Sequence, residues 1–313
     1  MIVNRAAFNR RFSMLVAVVA LTLAATGPLY LPPFVTILLI SVFMFIVLAV
    51  SWTSFSSSTR YISLATAAFF GVGVYTSAIF EELPLLAVIG IGGLASLLLG
   101  LLVGLTTLRL SGMYFAIFTF GLSELLHHSM TWYEINITGT LGRWVPLLAP
   151  EPAYYSMLAL VVATLLAAYL LRRSRFGLAL QAIGQAEEAA AHIGINVKFV
   201  KIITFAGTCF FIGAAGTIMA RRWSYIDPEL AFAPFLTFFV IMMVLLGGME
   251  SPFYGPVLGA TAISVLLDTV LTGFPHQTFL IFGSILILVI VFLPKGLAGL
   301  MGRIVARGKV LRE

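Results

Sequence analysis

Residues 34–52 read FVTILLISVFMFIVLAVSW, nineteen positions without a charge. A helix of that length rises about 29 Å, close to the roughly 30 Å thickness of a bilayer's hydrocarbon layer. Comparable runs recur near 13–31, 62–80, 85–108, 112–130, 154–171, 202–220, 234–250, 254–272 and 277–293. Turn residues or charges punctuate them: Pro32-Pro33, Ser56 to Ser58, Glu81-Glu82, Arg109, Pro150 to Pro152, Arg172-Arg173, Arg221-Arg222, Glu250 to Pro252 and Pro275. Ten spans of about 20 residues consume some 200 positions of the 313. The expectation is an all-α, polytopic transmembrane helical bundle of about ten spans. Residues 1–313 form one domain, with no room for a separate soluble one.

Composition agrees. The apolar set AVILMFWYC supplies 61% of residues and charged side chains only 10%, against about 25% charged in soluble domains. Disordered, fibrous, disulfide-stapled and nucleic-acid-binding proteins are excluded at this point. The single Cys209 rules out an internal disulfide framework or a cysteine metal cage. The net charge of +6 is explained by topology, because Lys and Arg concentrate on the cytoplasmic side of a membrane. With a cytoplasmic N-terminus and ten spans, Arg5, Arg10, Arg11, Arg60, Arg109, Arg172, Arg173, Arg175, Lys198, Lys201, Lys295, Arg303, Arg307, Lys309 and Arg312 fall inside, and Arg143, Arg221 and Arg222 outside. Both termini are expected in the cytoplasm. The first run, with its basic start, is read as an uncleaved span, since Ala24-Ala25 makes a poor cleavage site.

Chemistry on this chain is sparse. Gly308-Lys309 is followed by Val310-Leu311, not by the Ser or Thr that a phosphate-binding loop needs. If transport is driven by ATP, another chain hydrolyses it. Glu124 stands within the fifth run, with His127 three residues on and His128 beside it. A charge at that depth is costly and usually faces a cavity or a partner. Glu-x-x-His is half of a di-metal site, but no second copy exists; neither a catalytic residue nor a metal is expected. Asp268, deep in the ninth run, reads as paired with a polar neighbour, and Arg221-Arg222 either snorkel to head groups or face a partner. Gly100-x-x-x-Gly104, Gly213-x-x-Gly216 and Gly255-x-x-x-Gly259 place small residues on one helix face and read as helix packing.

Two connections are long. The outer one, near 131–153, carries Trp132, Tyr133 and Trp144, types typical of the membrane–water interface. The inner one, near 172–201, is basic at both ends. Its middle runs from Gln185 to Gly194, with Glu187 and Glu188 suited to a helix N-terminus and a Gly stop. A short helix of this kind lies at the interface or against another protein.

The loop Arg173-Ser174-Arg175-Phe176-Gly177-Leu178-Ala179-Leu180-Gln181-Ala182-Ile183, continuing through Glu187-Glu188-Ala189-Ala190 and Gly194-Ile195-Asn196 to Lys201, resembles the permease subunits of branched-chain amino-acid ABC importers. So do the small-residue-rich helix from Phe205 to Gly216, Pro228, Leu246-Gly247-Gly248, Gly255 to Ala260, and Pro294 to Leu300. Upstream, Gly112 to Ile117, Thr119 and Glu124 fit the same family, so the resemblance runs in order over about residues 60–300.

That resemblance implies a permease subunit of a bacterial ABC importer in the inner membrane. It would move branched-chain amino acids, or urea, amides or another small solute, by alternating access. Its implied partners are a paralogous permease, two cytoplasmic ATPases that bind ATP and Mg, a periplasmic solute-binding protein and the lipid bilayer. Cofactors on this chain are none. Residues 172–201 would hold the helix that seats in an ATPase, with Arg175, Phe176, Gly177, Glu187, Glu188, Ala189 and Gly194 as coupling positions. Tyr114, Thr119, Ser123 and Glu124 are candidates for the substrate path. Two departures stand out: Met249-Glu250-Ser251 follows Gly247-Gly248 where relatives carry a small pair, and His127-His128 replaces Arg or apolar residues. An ion-coupled carrier with Glu124 and His127 as proton relay stays open as an alternative, as does a membrane enzyme with the same pair as ligands.

Overall fold

A computed structural model describes residues 22–28, 30–108, 112–249 and 253–269, and short stretches at 280–281, 283–285, 287–288 and 296–299. The expected runs at 13–31 and 277–293, the segment 250–252 and the tail match at 294–295 lie largely or wholly outside them. The described chain is almost entirely helical. In order come α1 (Pro33–Thr59), α2 (Thr66–Ile79), α3 (Leu85–Thr107), α4 (Gly112–Tyr133), a π-helical turn (Glu134–Thr138), β1 (Arg143–Trp144), α5 (Pro150–Arg173), α6 (Arg175–Gln185), α7 (Glu187–His192), α8 (Val197–Trp223), β2 (Tyr225–Ile226), α9 (Pro228–Ala231), α10 (Pro234–Gly247) and α11 (Tyr254–Thr269). This is a polytopic helical bundle.

Local sequence explains the boundaries. Proline opens α1, α5, α9 and α10, where its missing N–H has no intrahelical partner to lose. Arg60 closes α1 in the left-handed conformation, its N–H bonded to the Ser56 carbonyl. Ser174 and Asn196 cap α6 and α8 by accepting bonds from Gly177 and Phe199 amides.

Among the described residues, five stretches are long and apolar enough to cross a membrane: α1, α3, α5, α8 and the consecutive α9–α10. The other expected spans form differently. Helix α2 has 14 residues, about 21 Å long, because residues 60–65 stay outside any helix rather than joining it. Helix α4 is long enough, but Glu124, His127 and His128 dilute its apolar run.

Helix ends gather in two layers. On one, the loop face, the non-helical segment 60–65 meets α7 and the start of α8, and Ser57 reaches Met249. On the other, the hairpin face, β1 and β2 pair antiparallel and the α2–α3 turn meets Arg221. Helix α8 is the hub, packed on α3, α2, α1 and α5. Its small residues permit that: a Cβ at Gly73 of α2 would overlap the Gly213 carbonyl of α8, and one at Gly92 of α3 would overlap Thr217 Oγ1. Among the described residues, Arg221 is structural. Its guanidinium donates to the carbonyls of Phe80, Glu81 and Leu83 at 3.4, 3.1 and 3.1 Å, satisfying the turn between α2 and α3. Asp268 bonds Ser41 and lies near Arg222.

Candidate functional site

Residues 172–201 fold into a compact unit rather than a loose loop. Leu180, Ile183, Ala190, Val197 and Val200 make a small core of their own, joined by Leu171, Ala179 and Ile195. Helix α6 turns Gly177, Leu180 and Ile183 inward, at the i, i+3, i+6 spacing of one helix face, and rests on the ends of α1, α5 and α8. Two glycines permit that seat. A Cβ at Gly177 would strike the Leu171 carbonyl, and one at Gly184 the Ser58 carbonyl. Helix α7 stops at Gly194, whose φ of 89° suits glycine, with Ile195 N–H returning to the Ala190 carbonyl at 3.2 Å.

The expected coupling positions divide between the two sides of this unit. Arg175, Phe176, Glu188, Ala189 and Gly194 are exposed, and Leu178 and Ile193 next to them are 65% and 74% exposed. Gly177 is buried in the seat. Glu187 faces the chain itself. One of its carboxylate oxygens pairs with Lys201 Nζ at 2.8 Å and the other accepts from Tyr61 Oη at 2.8 Å. Lys201 also donates to Tyr61 Oη at 3.2 Å and sits 4.3 Å from the centre of its ring. The Lys201 side chain is 1% exposed, so this cluster supplies its charge with the neutralisation that burial requires. Burial first, and then the Glu187 carboxylate, push the Tyr61 phenol well above its ordinary value, which keeps it a neutral donor.

The candidate path residues are likewise split. Tyr114 is 66% exposed and Glu124 partly so, on the outer side of α4 with Met113, Ile117 and Leu125. Thr119 and Ser123 point the opposite way and are buried. Thr119 Oγ1 accepts from Leu64 N–H at 3.0 Å, and Ser123 Oγ donates to the Leu64 carbonyl at 3.3 Å. One face of α4 therefore cannot carry all four. The hydroxyls of Thr119 and Ser123 are spent on the backbone of the non-helical segment 60–65.

Glu124 lies 3.9 Å from His127 Nδ1 and 3.6 Å from His128 Nε2, and the two imidazoles stack at 5.1 Å. Among the described residues this trio brings its donor atoms close enough to share a cation. Farther along, a groove of about 810 Å3 opens between α2 and α4 near the hairpin face, lined by Tyr75, Leu125, His128 and Trp132 among others. Glu134, fully buried, holds that end together. It accepts from Tyr75 Oη at 3.0 Å and Gly142 N–H at 2.8 Å, and faces Arg143 Nε at 3.5 Å.

Sequence reasoning missed Tyr61 and the partnership of Lys201. A lysine one turn inside an apolar helix, fourteen residues after a glutamate, was the available signal.

Comparison with known proteins adds an independent line. Residues 34–291 match the family described as "Branched-chain amino acid transport system / permease component". The chain is 28% identical over 264 residues to the high-affinity branched-chain amino acid transport system permease protein LivM of Escherichia coli, covering 73% of this chain and 61% of that protein. It is 28% identical over 265 residues to LivM of Salmonella typhimurium, with the same shares. A shorter similarity, 33% over 101 residues, covers 29% of the chain and 32% of the nucleoside ABC transporter permease protein NupC of Lactococcus lactis subsp. cremoris. The chain thus spans about three-fifths of the length of the LivM relatives it matches. No solved structure matches it.

Proposed function

From the premise that this chain belongs to the branched-chain amino acid transport permease family, we propose that it is a membrane-spanning subunit of a bacterial ABC importer for branched-chain amino acids. It sits in the inner membrane with its loop face in the cytoplasm. The partners are a paralogous permease, two ATPases at the loop face, and a periplasmic binding protein at the hairpin face. ATP is hydrolysed on the ATPase chains, and this chain carries no catalytic residue.

The observation that carries the reading is the two-sided build of the 172–201 unit. Its inner side is fastened to three long helices, while its outer side presents Arg175, Phe176, Leu178, Glu188 and Ile193. Exposed apolar groups beside charges make a docking surface. A rigid element seated on helix ends passes a push from outside into the bundle. The edge helix α4 supports a second subunit. Its outer face carries Glu124 and the histidines, which lipid would penalise by about 2.5–3.5 kcal/mol per charge. A water-filled path between two permeases relieves that cost.

The test is reconstitution with the paralogous permease, the ATPases and the binding protein in liposomes, using leucine as the solute. Uptake that needs internal ATP is the expected result. Uptake by this chain alone, driven by an imposed ion gradient, would overturn the reading in favour of an ion-coupled carrier.

A further inference from the structure

We propose that Tyr61 and Lys201 are positioning residues that link the 172–201 unit to helix α4, acting through the non-helical segment 60–65. The proposal rests on the importer reading above and specifies how motion at the docking surface reaches the path.

Helix α4 sits at the edge of the bundle and buries three residues, Phe115, Thr119 and Ser123. All three touch the non-helical segment. Phe115 meets the Tyr61 ring edge-on, with centroids 5.7 Å apart. Thr119 and Ser123 hold the N–H and carbonyl of Leu64. Phe115 also meets Phe55 of α1 and Phe205 of α8, with centroids 6.1 and 5.7 Å apart, but the hydrogen bonds that this buried face makes outside α4 go to Leu64.

The other end of that segment is held by the docking unit. Tyr61 Oη donates to Glu187, at the first position of α7, and accepts from Lys201 in the first turns of α8. The phenol meets three elements at once: its hydroxyl takes the carboxylate and the ammonium, its face receives the ammonium, and its edge rests on Phe115. Segment 60–65 carries no internal helical bonds, so it transmits displacement as a short tether. The Trp52 indole N–H, bonded to the Ser63 carbonyl at 2.9 Å, fixes its middle to α1. About that fixed point, a shift of α7 toward or away from the bundle moves Glu187 and Tyr61 on one side and tilts Leu64 on the other, and the α4 residues bonded to Leu64 follow.

The test is Tyr61→Phe, which keeps every ring contact and leaves Glu187 paired with Lys201. Two readouts are taken on the full complex and on the purified chain. In the complex, leucine moved per ATP hydrolysed should fall at least fivefold while the ATPases stay bound. In the purified chain, hydrogen–deuterium exchange should rise across residues 112–124 as well as 60–66. A purely local loss would speed exchange at 60–62 alone. Thr119→Val should reproduce both effects and Thr119→Ser should restore them, since serine keeps the hydroxyl. A coupling ratio equal to wild type, or unchanged exchange across 112–124, overturns the linkage. If the wild-type complex takes up no leucine with ATP, the importer reading has failed, and the exchange measurement still decides the linkage by itself.

Discussion

The contact between Gly92 and Thr217 gives a quantitative test of the helix packing. Thr217 is fully buried and its hydroxyl lies 3.1 Å from the Gly73 carbonyl and 3.0 Å from the Gly213 carbonyl. A methyl at position 92 would overlap that hydroxyl. The hydroxyl cannot turn aside without losing a bond worth about 1 kcal/mol, and the backbones behind it are already in contact. Inserting a methylene into a full interior costs about 1–3 kcal/mol. Alanine returns about 0.8–1 kcal/mol through helix propensity, so Gly92→Ala should destabilise by about 2 kcal/mol. Thr217→Ala alone should cost about 1–2 kcal/mol for a lost bond and a lost methyl. In the double variant the new methyl occupies the vacated space, so the pair should cost less than Gly92→Ala alone, a coupling of about 2 kcal/mol. The chain carries its own reporter. Cys209 is the single cysteine and is fully buried, so a fluorogenic maleimide signals thermal unfolding directly. At roughly 2–4 °C per kcal/mol, Gly92→Ala should melt about 4–8 °C below wild type, and the double variant should melt about 4–8 °C above the sum of the two single losses. Additive losses, or no loss in Gly92→Ala, would refute the packing argument.

Arg221→Lys keeps a charge but cannot fork across three carbonyls; it should lower stability by about 2 kcal/mol, read by the same dye, and an unchanged melting curve would sink the assigned role. Glu188→Lys should release copurifying ATPases while leaving the melting temperature alone. Glu187→Lys, which sets a second ammonium against buried Lys201, should cost about 1–3 kcal/mol after allowance for its 40% exposure; equal behaviour of the two variants would contradict the two-sided arrangement. Alkaline pH tests Tyr61. Its folded value is raised above the ordinary 10.0, so its contribution is complete below pH 10 and falls as pH climbs above it. Wild type should therefore lose more stability between pH 9.5 and 11.5 than Tyr61→Phe, measured by circular dichroism. Parallel losses would refute this.

The long runs were legible because crossing a membrane imposes length and apolarity locally. Residues 34–52 lie within α1, and Pro150, Arg172 and Arg221 fall at or near helix ends. The Glu187-Glu188 segment does begin a helix, α7. What failed to show in sequence depends on residues far apart in the chain. The span expected at 62–80 starts at Thr66 because Trp52, Thr119 and Ser123 hold the backbone of residues 63 and 64 outside the helix. Thr119 and Ser123 stand with Tyr114 and Glu124 in the fifth run and were expected with them along a path; their hydroxyls instead bond a backbone 55 or more residues earlier. Glu187 looked like an outward contact because nothing at its own position reveals that Lys201 and Tyr61 converge on it.

The broken stretch before α2 also sets an order of events in synthesis. Its polar backbone groups inside the bundle must find partners within the protein, since lipid offers none. Trp52 is already present when this stretch enters the membrane, but Thr119 and Ser123 come more than fifty residues later. The Ala67 N–H, in the first turn of α2, waits longer still, for Thr237 Oγ1 at 3.0 Å, 170 residues downstream. A nascent chain that ends before residue 237 therefore carries an open polar seam in its first half. Such a fragment should be held by insertion chaperones or destroyed by membrane proteases, and the seam closes only when α10 arrives.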